Sequence, residues 1–126
     1  MAELQGKANE LYTHMLQKRF YVILTTAIKP MSEMAALLPE HLTYTIGLEK
    51  KGVLFASGPF SASDQVTPGS GMTIVRASSL EEAKAIAEQD PFYVAGMRTF
   101  EIREWRLNEG SYTLTLHYSD GSYSIE

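Results

Sequence analysis

The sequence of 126 residues predicts an α+β domain on a four-stranded antiparallel sheet, with elements in the order β-α-β-β-α-β. Three observations lead to this fold class. Four short runs are rich in β-branched and aromatic residues, which is typical of strands. Two longer stretches repeat apolar residues at three- and four-residue spacings, which is typical of amphipathic helices. Glycine, proline and aspartate separate these runs where turns are expected.

The first third of the chain predicts two helices with a strand between them. Apolar residues at helical spacing over Glu3–Lys18 indicate an amphipathic N-terminal helix. The β-rich run Arg19–Ala27 is the first strand, and Pro30 ends it. A second helical pattern covers Ser32–Lys51. Within it, Pro39 either begins a renewed helix or kinks a continuous one.

The middle of the chain predicts a long hairpin and a further helix. Val53–Phe60 and Met72–Ala77 are strands, joined by the polar loop Ser61–Ser70. Ser79–Glu82 is a capping-box motif, in which the serine caps one N–H group and the glutamate reaches back to another. The helix that follows ends at Asp90, because a residue before proline disfavours helical angles.

The last third of the chain predicts the fourth strand and a separate hairpin. Thr99–Leu107 is the strand, and alternating apolar residues around Asp120-Gly121 indicate a β-hairpin over Ser111–Ile125. The resulting order is ferredoxin-like, and right-handed crossovers place both of its helices on one sheet face. We therefore expect an N-terminal helical extension, the α+β domain and a C-terminal hairpin extension, at residues 1–18, 19–107 and 108–126.

The sheet face away from these helices would be polar in a monomer. Phe20–Leu24 and Val53–Ala56 are instead apolar at both alternating sets of positions. We therefore expect a homodimer through this face. The terminal extensions leave assembly beyond two chains open.

Composition and charge exclude several classes of protein. The net charge of −4 disfavours nucleic acid as a partner. The absence of cysteine excludes disulfides, thiolate zinc sites, iron–sulfur clusters and a cysteine nucleophile. The longest apolar runs are far too short to span a membrane, and Met1–Lys7 is polar rather than signal-like. We therefore expect a cytoplasmic protein without a membrane partner.

His41 and Asp90 are the residues that could carry chemistry. His41 shares a mostly apolar helical stripe, so it is either a core histidine bonded to a backbone carbonyl or a general acid or base. Asp90 either simply ends its helix or bears a charge that faces the negative end of the helix dipole and needs a cation such as His41. His14, His41 and His117 lie on different elements, so we expect no metal site.

The segment Arg19–Leu107 resembles the YCII-related family of small proteins. The resemblance rests on five motifs in the family's order: His41-Leu42, Gly52–Pro59, Ser79–Ala83, Asp90–Phe92 and Phe100–Trp105. It implies a ferredoxin-like fold that pairs as a dimeric α+β barrel. It also implies that His41 and Asp90 line a cavity as a catalytic pair, with Ser57, Gly58 and Pro59 as substrate-binding residues.

The function implied by this resemblance is proton transfer by a cofactor-independent lyase or isomerase. Its substrate would be a small aromatic or enolisable molecule, as for muconolactone isomerase or a dehydrochlorinase. A non-catalytic dimer that binds a small ligand or a protein is an alternative. A further alternative is an oxygenase of the dimeric-barrel class, cofactor-free or with His41 as a haem ligand. Fold alone does not decide whether the chain is an enzyme.

The position of the two residues gives a geometric expectation. His41 lies on the first crossover helix and Asp90 at the end of the second, and helices packed side by side have axes about 8–10 Å apart. We expect a ring nitrogen and a carboxylate oxygen within about 2.6–3.2 Å, or bridged by one water. Both residues should border a pocket that Ser57 also reaches.

Overall fold

The four predicted strands and both crossover helices are present in the computed structural model, which describes residues 1–126. The elements in chain order are α1 (Ala2–Tyr12), β1 (Lys18–Ala27), α2 (Met31–Met34), a 3-10 helix (Ala35–Leu37), α3 (Leu38–Lys50), β2 (Leu54–Pro59), β3 (Gly71–Val75), α4 (Leu80–Glu88), α5 (Pro91–Val94), β4 (Arg98–Leu107), β5 (Leu114–Leu116) and β6 (Tyr123–Ile125). No helix combines the length and the apolarity needed to cross a membrane.

The chain divides into two compact units, one of residues Met1–Lys18 with Leu107–Glu126 and one of Arg19–Arg106. The larger unit contains the sheet, whose strand order is β2-β3-β1-β4. β3 lies between β2 and β1 and is antiparallel to both. The predicted ferredoxin-like α+β fold is therefore confirmed.

The core of the larger unit lies between the sheet and its helices. Tyr21, Ile23 and Val75 on the sheet pack with Ala83 and Ala87 of α4. The two alanines lack bulk, so α4 lies close to the strands. A second buried cluster joins Ala27 and Met34 to Phe92 of α5. This second cluster holds α5 in place, and α5 carries part of the candidate site.

The first crossover helix is interrupted rather than continuous. A 3-10 turn separates α2 from α3, and Pro39 lies in the first turn of α3. Proline suits that position because an N–H in the first turn has no partner within the helix. Of the two interpretations of Pro39, the renewed helix is therefore correct. Gly52, at φ 78°, follows α3 in the left-handed conformation that ends helices.

The N-terminal helix is shorter than its sequence pattern predicts, since α1 ends at Tyr12 and not at Lys18. Thr13 turns its hydroxyl onto the Glu10 carbonyl, a local bond that competes with helix continuation. Gln17 adopts a left-handed φ of 52°, which no helix accommodates, and its side chain donates to the Tyr12 carbonyl. His14 therefore lies in a turn after the helix.

The predicted C-terminal hairpin is present in the smaller unit. β5 and β6 pair antiparallel, with Leu114 opposite Ile125, and both strands are shorter than predicted. The Asp120 carboxylate accepts the Ser122 N–H, and Gly121 supplies the positive φ of 71° that the turn requires.

An aromatic cluster lies on the second face of the sheet, which the sequence also predicts to be apolar. The Phe20 ring lies 4.4 Å from that of Phe55 and 6.0 Å from that of Trp105, measured between centroids. The Arg76 guanidinium lies over Phe20 and Phe55. Phe20 is buried, whereas Phe55 and Trp105 each remain 37% exposed.

Candidate functional site

The main cavity of the larger unit lies between α3 and strands β2 and β3. Its volume is about 610 Å³. His41 and Thr45 line it from α3, Ser57 from β2, Thr73 from β3 and Arg98 from the start of β4. A much smaller cavity adjoins it and shares some of these walls, and Asp90 lines this second cavity. The site therefore combines residues from both crossover segments and from the sheet.

His41 and Asp90 form a direct side-chain pair. His41 Nδ1 lies 2.8 Å from Asp90 Oδ2 and 3.0 Å from Oδ1, within the separation expected from the sequence. The side chains are only 12% and 17% exposed, so water competes little for this contact. When Nδ1–H donates to the carboxylate, Nε2 is left as the acceptor of a neutral imidazole. The partner of His41 is thus a carboxylate, and the alternative of a backbone carbonyl is wrong.

Asp90 is fixed by a cap that the sequence analysis missed. α4 ends at Glu88, and Asp90 is the N-cap of the short helix α5, with Oδ1 accepting the Phe92 N–H at 2.9 Å. Pro91 ends one helix and starts the next, since proline suits a first helical turn. The expectation of a carboxylate facing only the negative end of a helix is therefore wrong. Its charge also meets the N–H groups at the start of α5.

Phe92 holds the histidine ring from one side. The two rings stack with centroids 4.6 Å apart and planes 30° apart. Phe92 is 1% exposed and belongs to the second core cluster, so it cannot move without disturbing the core. The imidazole is consequently oriented by a hydrogen bond and by a packed ring together.

Arg98 is a site residue that the sequence analysis did not identify. Its guanidinium carbon lies 4.5 Å from the Phe92 ring centroid, and its side chain lines both cavities. Burial lowers the pKa of Arg98, while the negative charge of Asp90 opposes that shift. No motif marks this residue, because an arginine at the start of a strand is common and its neighbours come from distant segments.

Tyr44 was also missed, although it follows His41 by less than one helical turn. Its hydroxyl donates to the Ile86 carbonyl at 2.7 Å and so ties α3 to α4. Burial raises the pKa of Tyr44, and the negative charge of Asp90 raises it further. The phenol is therefore a neutral donor beside the pair, with its proton already engaged.

The three residues expected in substrate binding all line the main cavity. Ser57, Gly58 and Pro59 lie on β2, the edge strand of the sheet. Ser57 Oγ lies 2.9 Å from Thr73 Oγ1 on the neighbouring strand. The structure thus brings Ser57 and His41 to the same cavity. Asp90 lines only the smaller cavity, so the expectation that it borders the pocket of Ser57 is wrong. The roles of these residues in binding or catalysis stay predictions.

The larger unit is thus a ferredoxin-like α+β domain that carries a histidine–carboxylate pair beside an open cavity. The family model of the YCII-related domain matches residues 19–106. The chain therefore belongs to the YCII-related family, as the motifs of the sequence indicate. No curated protein matches the chain.

A solved structure with a similar fold is 5-chloro-2-hydroxyhydroquinone dehydrochlorinase from Burkholderia phenoliruptrix AC1100, in complex with 2,5-dihydroxybenzoquinone. The TM-score is 0.57 at 20% sequence identity, and the match covers 70% of this chain and 93% of that one. At this identity the likeness concerns the fold.

Proposed function

We propose that this protein is a small cofactor-independent lyase or isomerase that acts by proton transfer on a small aromatic or enolisable molecule. The observation that carries the proposal is the His41–Asp90 pair, 2.8 Å apart, with His41 on the wall of a cavity large enough for such a molecule. The dehydrochlorinase of similar fold supports this class of reaction. Ser57, Gly58 and Pro59 would form the binding wall opposite His41.

The proposed chemistry begins with His41 as a base. Nε2 takes a proton from the substrate, while Asp90 holds the ring through Nδ1 and stabilises the imidazolium that forms. In an elimination, the electrons of the broken C–H bond form a double bond, and chloride leaves with the C–Cl electron pair. In an isomerisation, the same imidazolium returns the proton to a different carbon. Neither reaction requires an oxidant or a cofactor.

The proposal includes a homodimer formed through the second face of the sheet. Phe55 and Trp105 support it, since both large rings stay 37% exposed in the single chain. A second copy of the chain would cover this apolar face, which otherwise contacts water. A cytoplasmic location is also part of the proposal, and the cysteine-free sequence fits a reducing compartment.

A screen with matched histidine variants tests the function. Chlorinated hydroquinones and unsaturated lactones are the probes, with chloride release and proton NMR as readouts. We expect His41→Gln to lower turnover by about 100- to 10,000-fold, the usual contribution of a positioned acid–base group. His117→Gln, which changes a histidine of the smaller unit, is the control and should match the wild type.

The alternatives give different results in the same screen. Saturable binding of probes without turnover would favour a non-catalytic binding module over an enzyme. Strong absorbance of the purified protein in the haem region would favour an oxygenase with His41 as the iron ligand. Equal turnover by the wild type and His41→Gln would contradict the proposed role of His41.

A further inference from the structure

We infer that Arg98 binds an oxyanion of the ligand in the main cavity, so that the ligand is a small planar molecule with an enolate, phenolate or carboxylate oxygen. The inference rests on the proposed function for the main cavity as the ligand site. Nothing in the sequence motifs or in the comparisons assigns a role to this residue.

The first observation is that Arg98 forms no ion pair within the protein and that its Nε atom has no hydrogen-bond partner. This Nε atom is buried. A guanidinium carries five N–H donors in a fixed fork, and a buried donor without an acceptor is destabilising.

Asp90 is the nearby carboxylate, and its oxygens are already engaged. Oδ2 pairs with His41, and Oδ1 also accepts the N–H of Phe92. Asp90 influences Arg98 through its charge alone, without an ion pair between them. Arginine remains protonated even where burial lowers its pKa. The cavity wall therefore holds a positive charge that no ion pair within the protein neutralises.

The second observation is the position of Arg98 relative to His41. Both lie against Phe92, with 4.6 Å between the two ring centroids and 4.5 Å from the Phe92 centroid to the guanidinium carbon. The imidazole centroid and the guanidinium carbon are thus at most about 9 Å apart. Both side chains also line the main cavity, so one small ligand in that cavity can contact both.

The remaining charge on the cavity wall does not oppose an anion at this end. Glu49 is the carboxylate that lines the cavity, and it is exposed. It follows His41 by eight residues on α3, which is about 12 Å along the helix axis. The charge of Glu49 therefore lies at the far end of the cavity, and the carboxylate beside His41, that of Asp90, is already paired with the imidazole.

This arrangement suits the proposed reaction. Removal of a proton by His41 leaves the electrons of the broken bond delocalised onto a substrate oxygen. A guanidinium preorganised against that oxygen stabilises the charge as it develops. Arginine also binds planar oxyanions through two parallel N–H···O bonds, which fixes the orientation of the ring.

Binding of two matched pairs of small molecules tests the inference. The anions are 4-nitrophenolate, at a mildly alkaline pH where it is ionised, and benzoate, and their neutral counterparts are 4-nitroanisole and benzamide. We expect the wild type to prefer at least one anion to its neutral counterpart. Arg98→Gln should weaken binding of that anion by about 10- to 100-fold, the usual effect of losing a charged hydrogen bond, and leave the neutral molecule unaffected.

Arg103→Gln is the control variant. It removes the same charge from an exposed position of the same strand, β4, and should bind as the wild type does. If Arg98→Gln fails to fold, binding is followed instead by NMR, through the Nε resonance of Arg98 in the ¹⁵N-labelled wild type. This resonance is assigned as the one that is missing from the spectrum of Arg98→Lys. That resonance should shift when the anion is added and not when the neutral molecule is added.

Several results would overturn the inference. One is equal affinity of Arg98→Gln and the wild type for the anion. Another is an Nε resonance that does not shift when the anion is added. A third is the absence of anion binding by the wild type at millimolar concentration. Anion binding that depends on Arg98, without any turnover that depends on His41, would keep the inference and contradict the proposed function. Turnover that depends on His41, without anion binding at Arg98, would do the reverse.

Discussion

His41 and Asp90, 49 residues apart in the chain, place a ring nitrogen and a carboxylate oxygen 2.8 Å apart. Each side chain is positioned by the helix that carries it. His41 projects from α3 toward the main cavity, and Asp90 begins α5 at the turn that Pro91 imposes. The pair therefore joins the two crossover segments.

Asp90 should prove to have two separable roles. Asp90→Asn keeps a good N-cap but removes the charge that holds the Nδ1 tautomer of His41, so we expect turnover to fall by about 100- to 10,000-fold. Its free energy of unfolding should change little. Asp90→Ala removes the cap as well, and should lower that free energy by a further 0.5–2 kcal/mol, approximately. Urea unfolding and steady-state rates on the same samples separate the two effects.

The cap of α4 should contribute to stability without touching the site. Ser79 Oγ accepts the Glu82 N–H at 3.1 Å, as the sequence motif predicts. Ser79→Ala should therefore lower the free energy of unfolding by about 0.5–2 kcal/mol and leave ligand binding unchanged. Ser61→Ala, in the exposed loop between β2 and β3, is the matched control. Equal stability of the two variants in urea would contradict this prediction.

Glu82 should add stability that depends on pH. Its carboxylate accepts the N–H of Ser78 at 3.0 Å and also the Ser78 hydroxyl, and these bonds lower the pKa of Glu82. The capping box is thus closed on Ser78, one residue earlier than the motif predicts. A carboxyl group with a lowered folded-state pKa stabilises the fold above its unfolded pKa of about 4.3 and loses this effect as pH falls through the folded value.

Glu82→Gln tests this pH dependence. The variant should be less stable than the wild type at neutral pH, and the difference should shrink as the pH falls below about 4. Urea unfolding at several pH values measures it. A difference that stays constant over that range would show that the Glu82 charge has no part in the cap.

The proposed dimer makes a prediction about mass. Sedimentation at micromolar concentration should give twice the 14.0 kDa mass of the chain. Phe55→Glu places a charge in the aromatic cluster and should shift the protein toward monomer, with circular dichroism showing whether the fold is kept. A stable monomer of the wild type under these conditions would overturn the dimer.

Local patterns in the sequence were sufficient to predict the sheet, the crossover helices and the terminal hairpin. Apolar alternation and helical spacing indicate directly which side chains face the core, so these elements can be predicted from residues close together in the sequence. The boundary of α1 was wrong because Thr13 bonds to the Glu10 carbonyl and Gln17 adopts a positive φ, neither of which helical spacing reveals. The helix α5 was missed because four residues are too few to show a period.

The candidate site was predictable only in part. His41, Asp90 and Ser57 were identified from the motifs on which the resemblance to the YCII-related family rests, and all three lie within the matched residues 19–106. Arg98 and Tyr44 acquire their importance from neighbours that only the folded chain brings near. Arg98 begins a strand, yet its guanidinium contacts Phe92 and lines both cavities. Such residues follow from tertiary packing, which one sequence does not display.

The rate of the double variant His41→Gln/Asp90→Asn, compared with the two single variants on the same probe, tests the central claim most directly. If Asp90 acts through His41, the residues work as one unit, and the double variant should be no slower than His41→Gln alone. If the two residues act independently, their losses multiply, and the double variant is slower than His41→Gln by the full factor of Asp90→Asn. That second result would contradict a proton-transfer pair.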